Sequence, residues 1–273
     1  MTVRIVQLSD IHFGCENAEA LEAVRIRVSE DPPDLVAITG DITQAGYPRE
    51  FAAARAWLDR LGCPVINTPG NHDTPYWSVV GRTCWPFRDY RRWIGPDSFD
   101  TVTRPDLTVV AFNTARGVQP RLNWSKGQAR RDDALRVCER LSAGQGLKVA
   151  ICHHPLMEVT GGPMTGRVWG GVEASRILAE GGADLILTGH VHSPFGHPLP
   201  YADGRTYAVG ASTLSLRERG VPAGYNLIEA EDECIRVTAL GWARTHFEPQ
   251  RTWGFDRRLG PARVAAGRAA NAA

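Results

Sequence analysis

Five short motifs stand in one order along the chain, and each carries residues that bind metal ions: Asp10-Ile11-His12, Gly40-Asp41, Gly70-Asn71-His72-Asp73, His153-His154-Pro155 and Gly189-His190-Val191-His192. Together they offer carboxylates, imidazoles and an amide oxygen but no thiolate, a donor set suited to hard or borderline divalent ions such as Mn, Fe or Zn. Six of the eight histidines lie inside these motifs, so the histidine content is concentrated where chemistry would need it. Singly, an Asp or His at a strand end is more often a cap or a satisfied polar group than a ligand. All five in order, each after an apolar run, supply enough donors for a two-metal centre.

Those donors need elements to hold them. Val3–Leu8, Leu35–Thr39, Val65–Thr68, Leu107–Asn113, Lys148–Cys152 and Asp184–Leu187 read as strands, and most run directly into a motif. The ligand candidates therefore fall at the C-terminal ends of strands, where open α/β sheets gather their sites. Apolar spacing predicts helices near 17–30, 48–61, 125–141 and 172–180. Phe51, Ala54, Leu58 and Leu61 mark one face of the second, which Gly62 and Pro64 stop; Ser125 and Gln128 have capping-box spacing at the start of the third. After Gly189 the pattern changes to Tyr207–Val209, Tyr225–Ile228 and Ile235–Leu240, consecutive strands with turns between them. Helical units followed by a β-meander imply an α/β protein in which two mixed sheets pack face to face with helices outside.

Composition bounds the rest. A chain of 273 residues with 43% hydrophobic content can bury a sizeable core, expected as one domain over residues 1–243 with loop insertions. Residues 244–273 are expected to form a partly disordered C-terminal extension, because Arg257–Ala273 is rich in Ala, Gly and Arg and has no apolar period. The net charge of +1 makes no global electrostatic case for nucleic acid or an acidic membrane surface. Only Lys126 and Lys148 are lysines among 31 basic residues, a bias better assigned to coding composition than to a phosphate-binding surface. Six scattered cysteines without a C-x-x-C pair fit reduced thiols, and no stretch resembles a signal h-region or membrane span, so a cytoplasmic protein is expected.

The motif set D-x-H, G-D, G-N-H-[DE], H and G-H-x-H resembles that of the calcineurin-like metallophosphoesterase superfamily, matched in full over residues 3 to about 215. The resemblance implies a four-layer α/β/β/α sandwich and two divalent metal ions. It implies that Asp10, His12, Asp41 and His192 hold one ion while Asp41, Asn71, His153 and His190 hold the other, with Asp41 as the bridge. Two carboxylates against two divalent ions leave a positive site that attracts a phosphate oxyanion. Such ions lower the pKa of bound water towards about 7, which makes a bridging hydroxide the expected nucleophile, and they clamp phosphorus during in-line displacement without a covalent phosphoenzyme. By the same resemblance His72 faces the leaving-group oxygen as general acid or electrostatic stabiliser, with Asp73 orienting it.

Departures from other branches narrow the reading. Purple acid phosphatases carry Tyr, and Ser/Thr protein phosphatases Asp, three residues after the bridging Asp, where this chain has Gln44; lipid-A pathway pyrophosphatases carry Arg where His72 stands. What remains is similar to the bacterial class III cyclic-nucleotide and glycerophosphodiester phosphodiesterases. Hydrolysis of a small phosphodiester is the expected activity. A phosphomonoesterase or nuclease is the alternative, and a non-catalytic scaffold is disfavoured because every ligand and His72 are present.

Selectivity must come from outside the motifs. Residues 74–100 form an insertion with Tyr76, Trp77, Trp85, Phe87, Tyr90 and Trp93 beside Arg82, Arg88, Arg91 and Arg92, which could cap the site, stack a base or pair two subunits of a homodimer. Arg116 ends a strand on the expected active face and is the leading candidate for a substrate-phosphate contact. Arg167, in the glycine-rich stretch Gly161–Gly171, and His154, beside the ligand His153, are further candidates, with bracing of the ligands the simpler role for His154.

Overall fold

Alternation along the first strand divides its side chains between two cores: Val3 and Ile5 join one cluster, Val6 and Leu8 another. The same split recurs in the second strand, with Leu35 and Ala37 in the first cluster and Val36 and Ile38 in the second. A strand that buries both faces needs a layer on each side. The computed structural model, which describes residues 2–158 and 168–258, supplies them as two sheets and two helix layers.

In chain order the strands are β1 (Val3–Leu8), β2 (Leu35–Thr39), β3 (Val65–Thr68), β4 (Thr101–Arg104), β5 (Leu107–Ala111), β6 (Leu147–Ile151), β7 (Leu185–Thr188), β8 (Phe195–Pro198), β9 (Tyr207–Gly210), β10 (Gly224–Ala230), β11 (Cys234–Trp242) and β12 (Phe247–Asp256). The helices are α1 (Ala18–Glu30), α2 (Pro48–Leu58), α3 (Val79–Cys84), α4 (Arg88–Trp93), α5 (Arg131–Ala143) and α6 (Gly171–Glu180). One sheet runs β12-β11-β10-β1-β2-β3, the other β4-β5-β6-β7-β9-β8. In each, the motif-bearing strands pair in parallel and antiparallel strands lie outside them. Leu21 and Val24 of α1 with Phe51 and Leu58 of α2 cover the outer face of the first sheet; Val137 and Leu141 of α5 with Leu178 of α6 cover that of the second. The α/β/β/α sandwich expected from the sequence is the architecture observed.

Polar groups tie the sheets together beside the motif ends. Gln7 of β1, fully buried, donates from Nε2 to the Thr188 carbonyl of β7 at 2.9 Å, and its Oε1 accepts from Asn226 Nδ2 at 2.9 Å. Asn226 Nδ2 also reaches the Gly210 carbonyl at 2.9 Å, so β10 is tied to β9 across the same gap. Gln7→Ala removes both bonds and leaves a cavity, and is expected to cost about 2–4 kcal/mol. A urea midpoint unchanged from that of the parent would show that the tie contributes nothing.

Four local expectations change. The helix anticipated from residue 125 begins at Arg131, because Gln128 is held in an extended bridge to Trp169 and the Ser125 carbonyl accepts from His154. Tyr207–Val209 does not open a meander with the later strands: β9 pairs in parallel with β7, and the meander is β10-β11-β12. Phe247–Asp256, placed beyond a boundary at 243, is the outer strand of the first sheet, paired with β11 along its length. Arg257 and Arg258 extend past it, and 259–273 lie outside the described residues. Finally, the 74–100 insertion divides in two. Phe87 and Tyr90 are buried against the first helix layer, Tyr90 edge-on to Phe51 with its hydroxyl on Asn67 Oδ1, whereas Tyr76, Trp77 and Trp85 are exposed.

Candidate metal centre

Five of the seven ligand candidates leave their strands on sharp hooks. Asp10, His12, Asp41, His190 and His192 all have left-handed backbones, with φ of 51°, 52°, 50°, 68° and 58°. Such conformations cost of the order of 1–3 kcal/mol each in a residue with a Cβ and persist where surrounding structure over-determines them. Here the hooks brace one another: Asp10 N–H donates to the Gly40 carbonyl and His12 N–H to that of Asp41, both at 3.0 Å. The motif glycines are explained by the same crowding. A Cβ on Gly40 would lie 2.6 Å from His153 Nδ1, one on Gly70 would lie 2.1 Å from Asp41 Oδ1, and one on Gly189 would lie 1.8 Å from Ser9 Oγ.

The six expected aspartate and histidine ligands converge. Asp10 Oδ1 lies 3.1 Å from His192 Nε2 and 3.9 Å from His12 Nε2; Asp41 Oδ2 lies 3.9 Å from His12 Nε2 and 3.3 Å from His153 Nε2. One Asp41 oxygen thus stands between the two ligand sets, while Oδ1 is fixed by the backbone N–H of His72 at 2.8 Å. Asp10 Oδ2 is similarly taken up by Ser9 Oγ at 2.5 Å and the His190 N–H at 2.9 Å, leaving Oδ1 facing inward.

Second contacts fix which imidazole nitrogen faces the centre. His153 donates from Nδ1 to the Thr39 carbonyl and His192 from Nδ1 to the Arg217 carbonyl, each at 2.8 Å, so Nε2 is the inward atom in both. Asp10 Oδ1, Asn71 Oδ1 and His153 Nε2 are buried without a hydrogen-bond partner. Buried polar atoms without partners are rare and costly, and divalent ions of the kind this donor set selects would satisfy all three. The residues fit the metal.

Charge agrees. Burial pushes the His12 and His190 imidazoles down to about 3, so both are neutral and able to ligate at ordinary pH. Burial acts the same way on His153, but Asp41 and Asp10 outweigh it and raise this imidazole to about 9. The Asp10 and Asp41 carboxyls, opposed by burial, are held below the usual range chiefly by His192 and His153 respectively. Buried carboxylates stay ionised here only because positive charge is close, and bound cations would take over that role.

The remaining candidates fall differently. His72 donates from Nδ1 to the Gln44 carbonyl at 2.6 Å, so that carbonyl orients the ring, and Nε2 faces the centre. Asp73 instead staples the loops: Oδ1 accepts from Thr43 N–H at 2.7 Å, and Oδ2 from Gly70 N–H at 2.8 Å and Ile42 N–H at 3.2 Å. His154 is buried with both ring nitrogens engaged, Nε2 donating to the Ser125 carbonyl at 2.8 Å and Nδ1 accepting from Thr114 Oγ1 at 2.9 Å. It braces the ligands and has no ring atom left for a substrate. Arg116 is also spent locally: Nη1 donates to the Asn113 and Ala115 carbonyls, and Nη2 lies 3.7 Å from Asp133. Arg167 lies outside the described residues.

Sequence reasoning passed over Arg217. Its Nη1 lies 3.1 Å from His72 Nε2, 3.4 Å from Gln44 Oε1 and 3.5 Å from His12 Nε2. The signal available was an Arg-x-Arg step following Ser212-Thr213-x-Ser215, a short polar run after the last histidine motif.

Two face-to-face sheets with helices outside, and Asp and His clusters gathered at their strand ends, define a phosphoester hydrolase of the metal-dependent kind. The chain belongs to the calcineurin-like phosphoesterase family, whose model matches residues 3–194. A probable cyclic nucleotide phosphodiesterase of Synechococcus sp. is 26% identical over 263 residues, 90% of this chain and 94% of its own. The glycerophosphodiester phosphodiesterase GpdQ of Enterobacter lignolyticus is 30% identical over 80 residues, 25% of this chain and 29% of its own. Among solved structures, purple acid phosphatase PPD1 from yellow lupin seeds shares the fold, with a TM-score of 0.66 at 12% identity over 94% of this chain and 54% of that one. Among the described residues no helix is long and apolar enough to cross a membrane.

Proposed function

We propose that this protein is a phosphodiesterase that uses two divalent ions to hydrolyse small phosphodiesters, with cyclic nucleotides the first class to test and glycerophosphodiesters the second. The observation that carries the reading is Asp41 Oδ2, buried between His12 and His153, where one carboxylate oxygen is shared by both ligand sets. Asp10, His12, Asp41 and His192 would hold one ion, and Asp41, Asn71, His153 and His190 the other. Bound there, Mn, Fe or Zn would supply positive charge against the phosphoryl oxygens and lower the pKa of water towards neutrality.

The chain's own residues do the rest. Thr39 and the Arg217 carbonyl keep two imidazoles turned inward, and Asp73 holds the Asn71 and Asp41 loops in register. His72, its Nδ1 committed to Gln44, presents Nε2 to the reacting group. Beside it Tyr76 lies parallel at 6.2 Å between ring centroids, on the wall of a groove of about 410 Å³ that also includes Trp77, Trp85 and Arg88. An aromatic groove next to the reaction centre suits a diester carrying a flat organic group, such as a nucleobase.

The test is hydrolysis of bis-p-nitrophenyl phosphate against p-nitrophenyl phosphate by metal-stripped protein resupplied separately with Mn, Zn, Fe(II) and Mg. Diester preference restored by a transition ion supports the reading and leads to a panel of cyclic nucleotides and glycerophosphodiesters; monoester preference overturns it. His72→Ala is expected to retain both ions while turnover falls about 10²–10⁴-fold, more for poor leaving groups than for good ones. Equal losses on both would reject proton donation by His72.

A further inference from the structure

The segment between β9 and β10 is built into the metal centre at two points. Thr213 Oγ1 donates to the Asp10 carbonyl at 2.7 Å, and the Arg217 carbonyl accepts from His192 Nδ1 at 2.8 Å. Between them Ser215 N–H donates to Thr213 Oγ1 at 3.0 Å, Arg217 N–H donates to Ser215 Oγ at 3.2 Å, and Leu216 N–H to the Cys15 carbonyl at 2.9 Å. The backbone of Arg217 is thereby held by ligand-bearing residues, and its guanidinium is delivered to His72 Nε2 at 3.1 Å.

The partners of this guanidinium are unusual. Among the described residues neither Arg217 nor Arg219 forms an ion pair with a carboxylate, whereas Arg88 and Arg91 of the insertion are paired with Asp89 and Asp97. Arg82 and Arg116 donate to backbone carbonyls. Arg219 Nη1 is buried with no hydrogen-bond partner at all. A guanidinium carries no acceptor, and one imidazole nitrogen offers its charged fork far less than the two oxygens of a phosphate would. Two arginines two positions apart, neither paired with a carboxylate, are arranged for an anion that arrives.

We infer that Arg217, backed by Arg219, is the substrate-phosphate clamp of this centre, donating to the non-bridging oxygens of a phosphodiester in the space bounded by His72 and the metal ligands. The inference rests on the phosphoesterase reading above and deepens it. It replaces Arg116, whose terminal nitrogens are turned to the Asn113 and Ala115 carbonyls and to Asp133, and leaves Arg82, Arg88 and Arg91 out of phosphate recognition. The 3.1 Å separation means that one phosphoryl group touches both Arg217 and His72, which couples substrate binding to the orientation of the leaving group.

The experiment uses full-length protein loaded with Mn: calorimetric titration with inorganic phosphate, metal content by elemental analysis, and kcat and KM on bis-p-nitrophenyl phosphate, for the parent, Arg217→Ala, Arg217→Lys and Arg219→Ala. Arg217→Ala is expected to keep the parent's metal content while phosphate affinity falls about ten- to a hundred-fold and KM rises; Arg217→Lys restores part of the affinity, and Arg219→Ala shows a smaller loss. Unchanged phosphate affinity in Arg217→Ala, alongside a parent that binds phosphate and turns over diester, overturns the clamp and spares the phosphodiesterase reading. Loss of metal in both Arg217 variants assigns the residue to support of His192 and also overturns it. A metal-loaded parent that neither binds phosphate nor cleaves the diester overturns the underlying reading itself.

Discussion

Asp41→Asn is expected to lose metal and to reduce kcat/KM by about 10³-fold or more, although the side chain changes by a single group. Oδ1 accepts the His72 N–H at 2.8 Å, and Oδ2 lies within 3.9 Å of His12 Nε2 and 3.3 Å of His153 Nε2. An amide can satisfy only one of these positions. With its NH2 at Oδ1 it meets another donor; with its NH2 at Oδ2 it points hydrogens where cations should sit. Removing a buried charge that its neighbours require costs about 3–5 kcal/mol, which as lost transition-state stabilisation is two to four decades in rate. The check is metal stoichiometry together with kcat/KM. An asparagine variant holding two ions and working within tenfold of the parent would remove Asp41 from its central position.

A single methyl group at Gly70 should do comparable damage without touching any charge. The added Cβ of Gly70→Ala would lie 2.1 Å from Asp41 Oδ1 and 2.4 Å from Asp41 N, closer than real carbon contacts allow. Gly70 cannot retreat easily, because its N–H is held by Asp73 Oδ2 at 2.8 Å and its carbonyl accepts from Asp73 N–H. Asp41 must therefore move, and a displacement of the order of 1 Å at a catalytic group costs about a hundredfold in rate. Gly62→Ala is the control. Gly62 also has positive φ, at 68°, but a Cβ there meets nothing within 4 Å, so that variant should lose about 1 kcal/mol of stability and keep its activity. If the Gly70 variant matches the Gly62 variant in activity and metal content, close packing is not what the motif glycine provides.

How far the sequence revealed this molecule depended on where the determining information sat. The apolar runs before the motifs are local signals, and each appears as a strand in the layer arrangement they implied. β12 was not legible because most of Phe247–Asp256 faces solvent and carries little hydrophobic alternation; its partner β11 and a register shift near Ala239 specify it instead. The late start of α5 has the same cause, since residues 125–130 are held by Trp169 and His154, both distant in sequence.

The site follows that division. The resemblance carried by the five motifs pointed to Asp10, His12, Asp41, Asn71, His153, His190 and His192; the structure brings the aspartate and histidine side chains of that set together and leaves Asn71 Oδ1 buried without a partner. Roles that depend on what a side chain meets across the fold were hidden. Asp73 was expected to orient His72, yet a backbone carbonyl 28 residues away does so. Arg116 and Arg217 are chemically identical in the sequence; only the burial and partners of their guanidinium groups distinguish a structural tie from an unpaired cation.

Each ion, on the proposed assignment, draws ligands from both sheets: Asp10, His12, Asp41 and Asn71 follow β1, β2 and β3, whereas His153, His190 and His192 follow β6 and β7. During synthesis the first group leaves the ribosome well before the second, and domains generally fold as units once complete. A half-made chain can therefore present carboxylates and one imidazole but never a finished centre, so hydrolytic competence begins only when the two sheets have docked. Activity in this design is a certificate of completed assembly, and a truncated or misdocked chain is chemically silent.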